Sequence, residues 1–255
     1  MFKDRRQWIG DRLKEVPFLP LSELKEQFPD VSEMTLRRDI EYFEKLGDAI
    51  KVHGGARSTQ FVTTQTDDPY LSRLNDNIRA KIKIAKTAAG LLSVGRSIFM
   101  DSGSTVQQTV QFIPNERFTF TTTGPQTALE LCRIGLPVVN LVGGKLDRDY
   151  QAVTGMQALR FLADINIDTA LMCASGFSAG CGFTGGNSNE CELKRTVIKK
   201  ARQVIMLLDS SKFDRSLPYT FASLSDIDCL ICDSPLPDGL FSQATAAGVE
   251  IITAD

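Results

Sequence analysis

Histidine is almost missing from the 255 residues: His53 is the only one. Nucleophilic hydrolysis of the Ser-His or Cys-His kind needs a base held beside its nucleophile, and a lone imidazole leaves no such pair to build. The six cysteines, Cys132, Cys173, Cys181, Cys191, Cys229 and Cys232, are scattered and do not resemble a disulfide framework. Only Cys229 and Cys232 form a C-x-x-C, set in the apolar run Ile227 to Cys232 with no second pair, so they read as buried small hydrophobes. No metal site, cofactor or catalytic set is expected. No apolar run reaches the roughly 18 to 20 residues of a membrane-spanning helix, and the opening MFKDRRQW lacks the apolar core of a signal peptide. The expected location is cytoplasmic, with no membrane partner. Surplus positive charge is also lacking, since 29 Lys and Arg against 31 Asp and Glu leave a net charge of -2. This is not a chain coated for non-specific nucleic-acid binding.

What is present is an ordinary globular composition, 42% hydrophobic and 24% charged, with length for a small domain and one of about 180 to 200 residues. The small domain is organised around Asp30 to Gly47, DVSEMTLRRDIEYFEKLG. Ser32 is placed to N-cap a helix and Gly47 to end it. Leu36, Ile40, Phe43 and Leu46 recur at helical spacing as the buried stripe, while Met34, Arg38, Glu41 and Lys45 fall on the far face with Thr35 and Arg37 at its flanks. A short amphipathic helix, Leu21 to Phe28, precedes it across Pro29-Asp30-Val31, and Arg5 to Val16 forms another, closed by Pro17 and Pro20. Two helices across so tight a turn make a helix-turn-helix. Ala49 to His53, closing on Gly54-Gly55, adds a hairpin wing.

The first 57 residues hold eleven Lys or Arg and eleven Asp or Glu. Affinity for DNA must then come from local placement. Arg37, Arg38 and Lys51 are expected to sit on phosphates, Met34, Thr35 and Glu33 or Arg38 to approach base edges, with Ser32 and His53 beside them. A monomer should bind weakly, which calls for a homo-oligomer, dimer or tetramer.

The stretch Arg57 to Asp68 has the Ser, Thr and Gln content of a linker, giving a winged helix-turn-helix over residues 1–57, a linker at 58–68 and a larger domain over 69–255. That larger domain alternates helices with apolar strands at Ser97 to Met100, Phe118 to Thr122, Pro137 to Val142, Thr169 to Ala174, Val204 to Leu208, Asp228 to Ile231 and Val249 to Ile252. Its first long helix is marked by Ile78, Ile82, Ala85, Ala89 and Leu92. The pattern predicts an α/β domain with a mostly parallel sheet covered on both faces. Short polar segments follow most of the strands, and a parallel sheet brings its strand carboxyl ends to one edge, where ligands bind. The expected pocket residues at that edge are Asp101, Ser102, Gly103, Ser104, Thr105, Thr123, Gly143, Gly144, Gly176 and Lys212. Hydroxyls and backbone N–H groups beside a lysine suit a phosphorylated polyol, with Asp101 accepting from sugar hydroxyls.

LSELKEQF, VSEMTLRRDIEYFEKLG and KVHGGA, followed in order by AKIKIAKTAAGLL, DSGST, VGGKL, ASGFSAGCGFT, NECELKR and DSSKF, resemble the DeoR family of bacterial sugar-operon regulators. One departure is local: Pro29 and Asp30 stand where the family has a single residue before Val-Ser. The resemblance implies a repressor relieved by a sugar phosphate, with DSGST holding the phosphate and Lys212 and the Glu190 to Lys194 segment lining the sugar side. It also implies an effector domain similar to ribose-5-phosphate isomerase, and so a rival reading as a sugar-phosphate isomerase. Against that rival, the isomerase's Asp-Gly-Ala-Asp is here matched to Asp168-Thr169-Ala170-Leu171, which lacks the second carboxylate.

Overall fold

Helical spacing and its punctuation account for the first of two compact units, Met1–Gln65 and Thr66–Asp255, into which the chain divides in the computed structural model. The structure describes residues 2–16, 18–46, 48–52, 54–58 and 70–255, and Pro17, Gly47, His53 and the linker segment 59–69 lie outside them. The first unit runs α1 (Phe2–Glu15), β1 (Phe18–Pro20), α2 (Leu21–Gln27), α3 (Glu33–Leu46), β2 (Ala49–Val52) and β3 (Gly55–Ser58). Ile9, Leu13, Leu24, Leu36, Ile40 and Phe43 close one core with Leu19, Ala49 and Ala56. Leu46 does not join them. It lies about 80° round the helix from Leu36, beyond the stripe's margin, and is 56% exposed. The wing is also larger than a hairpin: β1 pairs antiparallel with β3, giving the strand order β1-β3-β2. Pro20 is tolerated there because it ends an edge strand.

The second unit continues with α4 (Tyr70–Asn75), α5 (Ile78–Gly90), β4 (Ser97–Met100), α6 (Ser104–Gln107), β5 (Thr119–Thr122), α7 (Pro125–Leu131), β6 (Val138–Leu141), β7 (Lys145–Asp147), β8 (Ala152–Thr154) and α8 (Met156–Ala163). After these come β9 (Ile167–Cys173), β10 (Gly176–Ser178), β11 (Gly182–Gly185), α9 (Ser188–Lys200), β12 (Ala201–Leu207), β13 (Tyr219–Ala222), β14 (Cys229–Cys232), α10 (Asp238–Ala246) and β15 (Glu250–Thr253). Seven strands form one parallel sheet in the order β15-β14-β12-β9-β4-β5-β6. All seven apolar strand candidates appear in it.

Because side chains alternate across a strand, each central strand feeds two cores. Phe99, Met172 and Met206 face one, with Leu162 of α8, Leu193 and Val197 of α9 and Ala244 of α10. Met100, Leu171 and Ile205 face the other, with Ile84 and Ala88 of α5, Val106 of α6 and Leu131 of α7. Cys229 and Cys232 fall into opposite cores and cannot share a metal ion. Burial pushes their thiols up, to about 12 and about 11. The α5 stripe is rotated from the expected one: Ile82 is exposed, and Lys81, Ile84, Ala85, Ala88 and Ala89 are buried. Five short strands have no counterpart in the apolar pattern, β7 and β8 as a hairpin and β10, β11 and β13 as a small antiparallel sheet.

Candidate effector pocket and DNA-reading helix

Strand order locates the pocket. The chain steps from β4 outward through β5 to β6, then returns to the other side of β4 with β9 and steps outward again through β12, β14 and β15. The reversal falls between β4 and β9, and a crevice at such a switch point is where open α/β sheets bind ligands. Asp101 follows β4 there, beside Cys173 at the end of β9. Asp101 Oδ2 accepts from Cys173 N (3.1 Å), Cys173 Sγ (3.3 Å) and Lys194 Nζ (2.5 Å), and its Oδ1 accepts from Ser102 N (2.9 Å).

Lys194 comes from α9, whose start is fixed by Asn187: its side-chain oxygen accepts from Asn189 N (3.0 Å) and Glu190 N (3.2 Å). One turn apart on that helix, Lys194 Nζ and Glu190 Oε1 pair at 3.2 Å. The ammonium also donates to Cys173 O (2.9 Å) and lies 5.3 Å from the Phe221 ring centre. Burial works against its charge, but Asp101 and Glu190 together outweigh burial and hold its pKa well above the ordinary lysine value. Burial pushes the Glu190 carboxyl up by more than Lys194 holds it down. Between Asp101, Thr123, Val153, Glu190 and Lys194 the enclosed space is only about 10 Å³, about enough for one water.

A second cluster faces the same edge. Lys81 is fully buried, and its Nζ donates to Ser104 Oγ (3.1 Å) and to the Arg73 carbonyl. Burial lowers its pKa, Asp209 opposes that shift, and Lys212 adds to it. Lys212 therefore acts on the site as a neighbouring charge. Asp209, after β12, is buried, and its Oδ1 accepts from Asn77 Nδ2 (3.2 Å), Ser211 N (3.2 Å) and Ser211 Oγ. Its Oδ2 has no hydrogen-bond partner among the described residues. Beside this cluster an open groove of about 530 Å³ runs between Asn77, Arg79, Lys83 and Asp233.

The expected pocket residues thus divide. Asp101, Thr123, Glu190 and Lys194 share one cavity, while Ser102 is buried in the adjoining loop and Ser104 and Thr105 at the start of α6. Gly103 is required by packing, because a Cβ there would overlap Cys173 Sγ. Gly143 and Gly144 are exposed and lead into β7; Gly144 takes φ 157°, and a Cβ on it would lie 2.7 Å from Thr154 O. Gly176 opens β10. These three glycines do not line the cavity. Asp209 heads the loop after β12, whereas Lys81 lies in no such loop, and the signal for Lys81 is its place in the α5 stripe. Asp168, which the isomerase comparison singles out, stands at the start of β9, on the opposite sheet edge, where its Oδ2 accepts from Ser97 N (3.1 Å). The pocket end of β9 carries Cys173-Ala174-Ser175 and no carboxylate.

In the first unit, Ser32 Oγ accepts from Thr35 N (3.3 Å) and meets Thr35 Oγ1 at 2.9 Å, capping α3. Met34 is 67% exposed. Arg37 pairs with Glu33 (2.7 Å), and Lys51 pairs with Glu41 (2.6 Å) while its backbone N donates to Glu44 Oε1 (3.0 Å), so the wing is tied to α3. Exposed pairs of this kind are worth only ~0–1 kcal/mol, and a phosphate displaces them cheaply. Arg38 is exposed and forms no ion pair or hydrogen bond with a described residue. His53 lies outside the described residues. What holds α3 in place is Asp39, fully buried, accepting from Arg5 Nε (2.6 Å) and Arg6 Nε (2.9 Å) of α1. Arg6 also stacks 3.8 Å over the Tyr42 ring.

Residues 5–61 match the DeoR-like helix-turn-helix domain, and residues 76–234 match the DeoR C terminal sensor domain. The HTH-type transcriptional regulator GolR of Listeria innocua serovar 6a is 31% identical over 230 residues, covering 89% of each chain. The HTH-type transcriptional repressor GlcR of Bacillus subtilis strain 168 is 30% identical over 226 residues, covering 88% of this chain and 86% of that one. Among solved structures, ribose 5-phosphate isomerase A from Methanocaldococcus jannaschii is 19% identical with a TM-score of 0.40, over 54% of this chain and 55% of that one. The relatives named are regulators, not enzymes, and with both of its domains matched in order the chain belongs to the DeoR family of helix-turn-helix transcriptional regulators.

Proposed function

We propose that this regulator represses a carbohydrate-metabolism operon, and that a phosphorylated sugar bound at the β4/β9 switch point modulates its hold on operator DNA. The observation that carries the reading is Lys81, a fully buried ammonium 3.1 Å from Ser104 Oγ in the loop after β4. A buried cation is costly until an anion joins it. A phosphoryl group accepting from Lys81, Ser104 and Thr105 supplies that anion, and Asp209 Oδ2, without a hydrogen-bond partner among the described residues, takes a sugar hydroxyl. The space beside Asp101 admits no sugar ring, so the ring occupies the open groove next to Asn77, of the few hundred Å³ such ligands need. The even charge of the DNA-binding domain favours a homo-oligomer that engages two half-sites.

Thermal unfolding with a panel of pentose, hexose and triose phosphates, each beside its unphosphorylated sugar, tests the reading. A ligand at one hundred times its Kd stabilises the folded chain by about 2.7 kcal/mol, and Lys81→Met removes that rise. Equal rises from the unphosphorylated sugars, or none from any phosphate, defeat the proposal. On the DNA side, duplexes selected from a random pool by the full chain give the operator. Arg38→Ala then lowers affinity at matched salt by about 1–3 kcal/mol, and unchanged affinity removes Arg38 from the interface.

A further inference from the structure

The first described element after the linker is α4, and its contacts reach both sides of the pocket. On the side of the phosphate-holding loop, the Tyr70 hydroxyl donates to Gln107 Oε1 at the end of α6, and the Arg73 carbonyl accepts from the same Lys81 ammonium that bonds Ser104. On the other side, Tyr70 N donates to Asp149 O (2.8 Å), in the turn between β7 and β8. The Arg73 guanidinium lies 5.8 Å from the Tyr150 ring in that turn. The turn is itself fastened to the pocket wall. Asp147 Oδ1 accepts from Asp149 N (3.0 Å) and Tyr150 N (3.1 Å), while its Oδ2 accepts from Asn187 Nδ2 (3.1 Å), the residue that caps α9 and holds Glu190 N. Tyr70 itself is 2% exposed, so both of its bonds are made in the interior.

Resting on the proposed sugar-phosphate site, we propose that α4 is the element that reports occupancy of the pocket to the linker, with Tyr70 as its positioning residue. A phosphoryl group accepting from Lys81 and Ser104 changes one of the two anchor points between which α4 is held, because the Arg73 carbonyl accepts from the same ammonium. The linker runs directly into the start of that helix. A ligand acts on operator affinity only through a difference between two states, and the two-sided grip on α4 supplies them: anchored at both sides, or released from one.

Hydrogen exchange read by mass spectrometry on the full chain tests this, using wild type, Tyr70→Phe and Gln107→Leu. Tyr70→Phe keeps the ring and its backbone bond and removes only the link to α6; Gln107→Leu removes the same link from the other end together with the Gln107 Nε2 bond to Glu130 Oε1 (2.6 Å). Without ligand, both variants exchange the amides of 71–75 and 148–151 about ten-fold faster than wild type, while β9 and β12 stay within about two-fold. Unchanged rates in 71–75, or equal acceleration through the central strands, overturn the proposal. With the sugar phosphate of the panel that raises the melting temperature most, 102–107 slows in all three proteins and 71–75 changes in wild type alone. A change at 71–75 in the variants as well also overturns it. Absence of any slowing at 102–107 with every phosphate counts against the sugar-phosphate reading, and the ligand-free comparison still decides the role of α4.

Discussion

Replacing Asp39 by Ala attacks the placement of α3 without touching a residue that could meet DNA. Asp39 is fully buried and receives Arg5 Nε at 2.6 Å and Arg6 Nε at 2.9 Å, from side chains only 10% and 27% exposed. The substitution removes the counter-charge and leaves the Arg5 guanidinium in the interior. Breaking a buried pair by deleting one partner costs about 3–5 kcal/mol. For a unit of fewer than seventy residues with one small core, that is a large part of a stability of roughly 5–15 kcal/mol. Chemical unfolding of the full chain, followed by Trp8 fluorescence for the first unit and by circular dichroism for the whole, separates the two domains. Trp8 packs edge-on to Phe28 at 5.5 Å and reports the first core. The expected outcome is an early fluorescence transition, an unchanged transition of the second unit, and lost operator binding. Asp39→Asn keeps the shape and accepts one guanidinium bond, so it costs less, about 1–3 kcal/mol. A loss below about 1 kcal/mol for Asp39→Ala would mean the pair behaves as a surface contact, and the account of α3 placement would be wrong.

Two further perturbations follow from the second unit. Gly103→Ala puts a Cβ into Cys173 Sγ but 3.6 Å from Cys173 Cβ, so it destabilises by about 1–3 kcal/mol, and adding Cys173→Ala recovers most of the loss. A double-mutant cycle measures this, and strictly additive losses would refute the clash. The Glu190 carboxyl titrates above its ordinary 4.5 in the folded chain because burial outweighs Lys194. Its contribution is fully present below about pH 4.5 and is lost as pH rises through the raised folded value. Lys194, held above 10.5, stays protonated throughout that window. Urea unfolding across it shows wild type losing stability relative to Glu190→Gln as pH rises; a gain relative to that variant would reverse the assignment.

The parts of this molecule that can be read from sequence, and those that cannot, divide along a physical line. The seven sheet strands are short, near-continuous apolar runs because both of their faces are covered, and such runs stand out whatever the topology. The converging loops follow from their parallel direction alone. The hairpin β7–β8 and the small sheet of β10, β11 and β13 are three or four residues long and rich in Gly, Ser and Thr, and they pair through backbone bonds that leave no hydrophobic period. Asp39 and Lys81 escape for a different reason. Each sits within an apolar stripe, Asp39 between Leu36 and Ile40 and Lys81 one turn before Ile84 and Ala85. A periodicity reading that counts only apolar residues passes over both. Yet burying a charge is so costly that a charged residue inside a helical stripe implies a partner, and the order of residues along the helix is enough to draw that inference. For Asp39 the partners are Arg5 and Arg6, and the result is the fixed placement of α3. For Lys81 the described partners are a hydroxyl and a carbonyl, both neutral. That difference, a buried cation whose described hydrogen-bond partners carry no charge, is the physical reason to look for an anionic ligand at Ser104.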